Sequence, residues 1–211
     1  ILYNYKDFIP EKPNYRIVFR PQNIFGYICF GFGIMIFLDV VLTILNLIVP
    51  SLFENYMKLM DEVVNVNSTM ALIMTVVIAP VAEELIYRGA ILKRFMFVHK
   101  FWVANILQSL LFGIAHGNMI QGCYAFIFGL LLGMIYKCTG SIISTIIVHM
   151  IANGSSYLLG YLQEEGDELP GSLGQTFFLL ALVMGIIFFI VGIIYWVRYY
   201  INFDENKKDI F

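Results

Sequence analysis

A chain of 211 residues with 60% hydrophobic and only 13% charged side chains carries more apolar surface than a soluble domain of this size can bury. This composition requires a polytopic membrane protein whose partner is the lipid bilayer. The net charge of −2 gives no electrostatic basis for a nucleic-acid or anionic partner. Three cysteines, Cys29, Cys123 and Cys138, are odd in number and widely spaced, which argues against a disulfide framework or a zinc–cysteine site.

The chain begins at Ile1, which leaves room for upstream residues, and its mixed, charged start lacks the pattern of a cleavable signal peptide. Residues 1–23 carry Lys6, Lys12, Arg16 and Arg20 with three prolines and read as an amphipathic or irregular entry segment. A transmembrane region over 24–201 follows, with a polar tail at 202–211. Its expected class is an all-α helical bundle of about six spans. The first span, Ile24–Val49, is closed by Pro50 and contains Asp39, which is expected to face the bundle interior in a hydrogen-bonding role. Ser51–Asn67 is a polar connection. Ser68 is a plausible N-cap for a second span that runs through Pro80, where the missing N–H should kink the helix.

Phe101–Ala115 reads as a third span ending in His116-Gly117-Asn118, and Cys123–Tyr136 as a fourth. Gly129 and Gly133 in the fourth form a small-xxx-small pattern that lets helices approach closely. Thr139-Gly140-Ser141 makes a turn into a fifth span, Ile142–Leu162, and the acidic loop Gln163–Ser172 precedes a sixth, Leu173–Ile201. With the N-terminus in the cytoplasm, Lys58 is the only one of the 13 Lys and Arg residues on the outer side. The positive-inside rule therefore expects both termini in the cytoplasm.

The chemistry gathers around Ala82-Glu83-Glu84-Leu85-Ile86-Tyr87-Arg88-Gly89, which follows the uncharged run Met70–Val81. Glu84 and Arg88 are four apart on one helical face and can pair, while Glu83 points about 100° away. This split suggests an orienting ion pair and a free base. Glu83 and His116 are related by a reversal at His99-Lys100, which would set them at one level on antiparallel helices, roughly 24 Å from the turn. His149 and Asn153 share a face of the fifth span. One carboxylate and two imidazoles in a low-dielectric cavity suit two chemistries. In the first, a glutamate activates water, a histidine shares the proton, and His149 with Asn153 stabilises an oxyanion. In the second, a divalent metal such as zinc is held by Glu83, His116 and His149. No HExxH pattern occurs, and a nucleophilic Ser109 lacks a Gly-x-Ser-x-Gly setting.

In order and spacing, Glu83-Glu84-x-x-x-Arg88, Phe112-x-x-x-His116 and His149-x-x-x-Asn153 resemble the three motifs of the CPBP (Abi, CAAX-protease-like) intramembrane endopeptidases. The resemblance covers about residues 68–160. It implies an intramembrane protease with a catalytic cavity open toward the cytoplasm. Glu83 would be the base on water, assisted by His116. His149 and Asn153 would form the oxyanion site or metal shell, and Glu84 and Arg88 would hold the site's shape. No cofactor is certain on this reading, with zinc as the alternative. The substrate would be a membrane-associated peptide or protein: a CAAX-type tail, a bacteriocin or signalling-peptide precursor. The heavy use of Ile, Asn, Phe, Tyr and Lys hints at a bacterial cytoplasmic membrane. A silent scaffold that regulates a membrane protein partner is the alternative function. A carrier using Glu83, Glu84 and Asp39 lacks the inverted repeat or paired broken helices expected of it.

Overall fold

The computed structural model describes residues 14–54, 56, 69–168 and 173–208, and among these every element is a helix. A short α1, Tyr15–Val18, leads through the extended Arg20 into α2, Pro21–Ile48, where Pro21 occupies a first-turn position that needs no N–H. The helix α3, Thr69–Met96, contains two π-helical stretches, Met74–Ile78 and Leu85–Leu92. It is followed by α4, Phe101–Ala115, α5, Met119–Thr139, α6, Ile142–Glu168, and α7, Leu173–Lys208.

Five of these helices are long and apolar enough to cross a membrane, and α4, at 15 residues, is shorter. Its apolar length, roughly 22 Å, falls short of a hydrocarbon core of about 30 Å. Large side chains such as Leu47, Ile114 and Met119 are mostly exposed, as a lipid-facing surface requires. The protein is an integral membrane protein of all-α class.

Several bounds differ from the sequence reading. α2 begins at Pro21, three residues earlier than expected, and α3 continues well past the glutamates to Met96. α6 runs on through Glu168, and α7 reaches Lys208. Part of the expected acidic loop and most of the expected tail are therefore helical, because charged residues of good helix propensity extend a helix beyond the apolar slab. Ser68 and most of the 51–67 connection lie outside the described residues, as do residues 1–13.

The turns follow local chemistry. The chain reverses over residues 97–100, at the expected His99-Lys100 turn. Gly117 adopts φ +68° between α4 and α5, and the Asn118 side chain then caps α5 by accepting from the Ile120 and Gln121 N–H groups. Gly140, at φ +65°, ends α5 in the left-handed conformation.

α2 and α7 pack antiparallel along their length. Their glycines fall at heptad spacing, Gly26 and Gly33 on one helix and Gly185 and Gly192 on the other. Each meets the partner helix directly: Gly26 at Tyr195, Gly33 at the Phe189 backbone, Gly185 at Ile36 and Gly192 at Phe30. Without a hydrophobic drive between helices in lipid, such close approach supplies the packing. Tyr27 completes the junction by donating to Ser144 Oγ on α6 at 2.8 Å and stacking on Trp196.

Candidate active site

The two adjacent glutamates meet opposite fates. Glu84 is completely buried and accepts from Arg88 Nη1 at 2.7 Å, the ion pair that the four-residue spacing predicts. Glu83 keeps 32% of its side chain exposed. His149 of α6 stands between them. Its Nδ1 lies 2.9 Å from Glu84 Oε1 and its Nε2 lies 3.6 Å from Glu83 Oε2. A carboxylate paired with arginine can only accept, so Nδ1 carries the proton and Nε2 faces Glu83. Nδ1 is thus bonded to Glu84, while Nε2 stands 3.6 Å from Glu83, beyond hydrogen-bond distance.

His116 lies at the end of α4. Its Nδ1 is 2.8 Å from the Phe112 carbonyl, which can only accept, so this nitrogen carries the proton and Nε2 presents its lone pair. Tyr87 packs edge-on against Phe112 at 4.9 Å between ring centroids, which fixes the register of α3 against α4. One turn further along both helices come Glu83 and His116. The Phe112 ring is also edge-on to His116 and His149 and receives the Arg88 guanidinium over its face at 4.8 Å. A single aromatic ring thus spaces both histidines and the arginine.

Asn153 is held by an unexpected device. In the first π stretch the Ala79 N–H bonds to the Met74 carbonyl, five residues back. The next donor in that register would serve Thr75, but it is Pro80, which has none. Asn153 Nδ2 donates to the Thr75 carbonyl instead, at 2.9 Å. The expected loosening at Pro80 is therefore a π-helical register whose open carbonyl is filled from α6. One N–H of the Asn153 amide is spent in this way.

Behind Arg88 lies a polar network that the motif reading passed over. Arg88 Nη2 donates to the Gly129 carbonyl at 3.2 Å, and Gln108 Nε2 donates to the same oxygen at 3.2 Å. Gln108 also reaches Asn105 Oδ1 and Ser109 Oγ, and Asn105 donates to the Leu130 carbonyl. All three side chains are fully buried, so Ser109 is a packing residue of this network. Asn105 presses on Gly133 and Ser109 on Gly129, which is the close approach that the glycine pair predicts. The signal was present in the sequence: polar residues at 105, 108 and 109 in an apolar span share one helical face.

Asp39 stands elsewhere. It lines a cavity of about 120 Å³ with Met35, Ile36, Ser156, Leu159 and Gly160, between α2 and α6. The hydrogen bond expected of it is not made among the described residues.

The zinc alternative needs Glu83, His116 and His149 to converge. Among the described residues no three His, Cys, Asp or Glu side chains could hold a metal ion. As placed, these three do not form a ligand set, and no step below passes through a metal.

Residues 65–155, somewhat under half of the chain, match the family model described as type II CAAX prenyl endopeptidase Rce1-like. The matched segment is similar to that family and contains Glu83, Glu84, Arg88, His116, His149 and Asn153. No curated protein and no solved structure matches the chain.

Proposed function

We propose that this protein cleaves a peptide bond of a membrane-associated peptide or protein with water activated by Glu83. The observation that carries the proposal is the contrast between two neighbouring carboxylates. Glu84 is buried and paired, whereas Glu83 is half-open and faces a histidine nitrogen. A carboxylate left open beside a fixed imidazole is placed to accept a proton.

On this reading, a water sits between Glu83 and the Nε2 lone pair of His116. Glu83 takes one of its protons as the oxygen attacks the scissile carbonyl. The second N–H of Asn153 stabilises the oxyanion. His149, fixed by its Nδ1–H bond to Glu84, stands beside the Glu83 carboxylate, and the proton passes from Glu83 to the leaving amine as the C–N bond breaks. Substrates of the right chemistry are prenylated CAAX-type tails and precursors of bacteriocins or signalling peptides, and the proposed location is a bacterial cytoplasmic membrane.

The test compares membrane and secreted peptides from cells carrying the wild type or Glu83→Gln. A peptide that matures only with the wild type, while the variant inserts and folds normally, is the expected result. Cleavage by purified protein should persist after exhaustive chelation; loss restored by zinc would assign the base role to a metal instead. Identical peptide profiles, with either protein rescuing a deletion phenotype, would overturn the enzyme reading in favour of a scaffold that regulates a membrane partner.

A further inference from the structure

Where α2 begins and α7 approaches its end, a surface groove of about 390 Å³ runs along α7. Its apolar end is lined by Phe25, Val191 and Ile194, and its polar end by Tyr195, Arg198 and Asn202. The change from apolar to cationic takes seven residues of one helix, from Val191 to Arg198, or about 10 Å. Aromatic side chains reach the surface at this level: the exposed Trp102 packs on Tyr200, whose ring lies beneath Lys137. Such a belt marks the boundary between hydrocarbon and headgroups.

Among the described residues the charge at the polar end is not matched. Arg198 makes no ion pair or hydrogen bond among the described residues. Arg20 lies within electrostatic reach of Tyr195, and its side chain bonds to the neutral Gln22 and to no acid among the described residues. No acidic residue occurs between Asn14 and Leu38 or between Thr176 and Phe203, the stretches that form the groove. A peptide docking here would need an apolar stretch and an acidic group at a membrane boundary, while the bilayer already supplies that amphiphile in the right orientation.

We propose that this groove is a binding site for an anionic phospholipid. The phosphate sits at Arg198 with Arg20 nearby, the Tyr195 and Asn202 side chains supply polar contacts at the headgroup level, and the upper acyl chain lies along Ile194, Val191 and Phe25. The site is independent of the protease reading, and it would tie the α2–α7 junction to the composition of the surrounding leaflet.

The experiment uses the full chain in a neutral detergent, with native mass spectrometry and thermal unfolding after addition of phosphatidylglycerol, phosphatidylcholine or inorganic phosphate. Phosphatidylglycerol should be retained roughly tenfold better than phosphatidylcholine, and R198Q should reduce that preference about fivefold, the scale of one interfacial arginine. R198K should keep most of it. V191W, which fills the apolar end, should weaken both lipids alike, and it reads the same site should R198Q fail to fold. Equal retention of the two lipids by the wild type, or an undiminished preference in R198Q, would overturn the proposal. Protection by inorganic phosphate equal to that by phosphatidylglycerol would also overturn it, as an anion site without a lipid.

Discussion

Glu84 and Arg88 are each fully buried, so neither loses its partner cheaply. Removing one member of such a pair strands a charge in a low dielectric, at a cost of about 3–5 kcal/mol. Arg88→Ala should lower the stability by that amount, seen as a reduced unfolding midpoint, and abolish turnover through misplacement of Glu84 and, with it, His149. Adding Glu84→Gln to Arg88→Ala should recover much of the stability without the activity, because the stranded charge is gone while His149 Nδ1 has lost its carboxylate. Unchanged melting in the single variant would show that the pair is dispensable. This pairing was legible in the sequence, since a four-residue spacing on a helix leaves little freedom. The anchoring of His149 by Glu84, with Glu83 facing its other nitrogen, was not, because it depends on the rotation of α6 about its own axis.

At the level of elements, the π register of α3 is the feature that spacing alone concealed. The sequence marks Pro80 as a disturbance, but a proline can be absorbed as a bend or as a widened turn, and local residues do not choose between them. What selects the outcome here is a partner 78 residues from Thr75, the Asn153 amide that satisfies its carbonyl. Pro80→Ala would restore an N–H that competes for the same carbonyl. Such a variant should be as stable as the wild type or more so, since proline in a helix interior is costly. Its turnover should nonetheless fall on the order of tenfold or more as Asn153 loses its fixed orientation. Unfolding midpoints measured beside single-turnover rates separate the two effects. Unchanged turnover would mean that Asn153 is oriented by something other than Thr75.

At the scale of the molecule, the helical class, the membrane setting and the α3–α4 reversal were all readable from hydropathy and charge. The span limits were less so, because α6 and α7 continue as helices beyond the apolar slab and α4 is shorter than it. α4 still lies antiparallel to α5 from end to end: Lys137, near the finish of α5, sits over the ring of Phe101, which opens α4. Counting α4 as a pass, we propose six passes with both termini in the cytoplasm. Arg88 drops out of the supporting charge pattern because it is buried in the site, but the loop charges keep their bias. Accessibility tags placed at the two ends should both report cytoplasmic exposure, and a signal from the opposite side at either end would leave α4 as a non-crossing helix.

The carbonyl of Gly129 accepts from both Arg88 and Gln108, and so the site is braced by a backbone atom. No substitution can delete that acceptor; it can only be moved. A methyl group at 129 would press on Ser109 and Phe112, at 3.1 and 3.2 Å, and α5 and α4 would have to part by a few tenths of an ångström unless those side chains gave way. Damage to the site from this quarter would come as displacement of a helix, and loss of function there would track the distance between two helices more closely than the chemistry of any side chain.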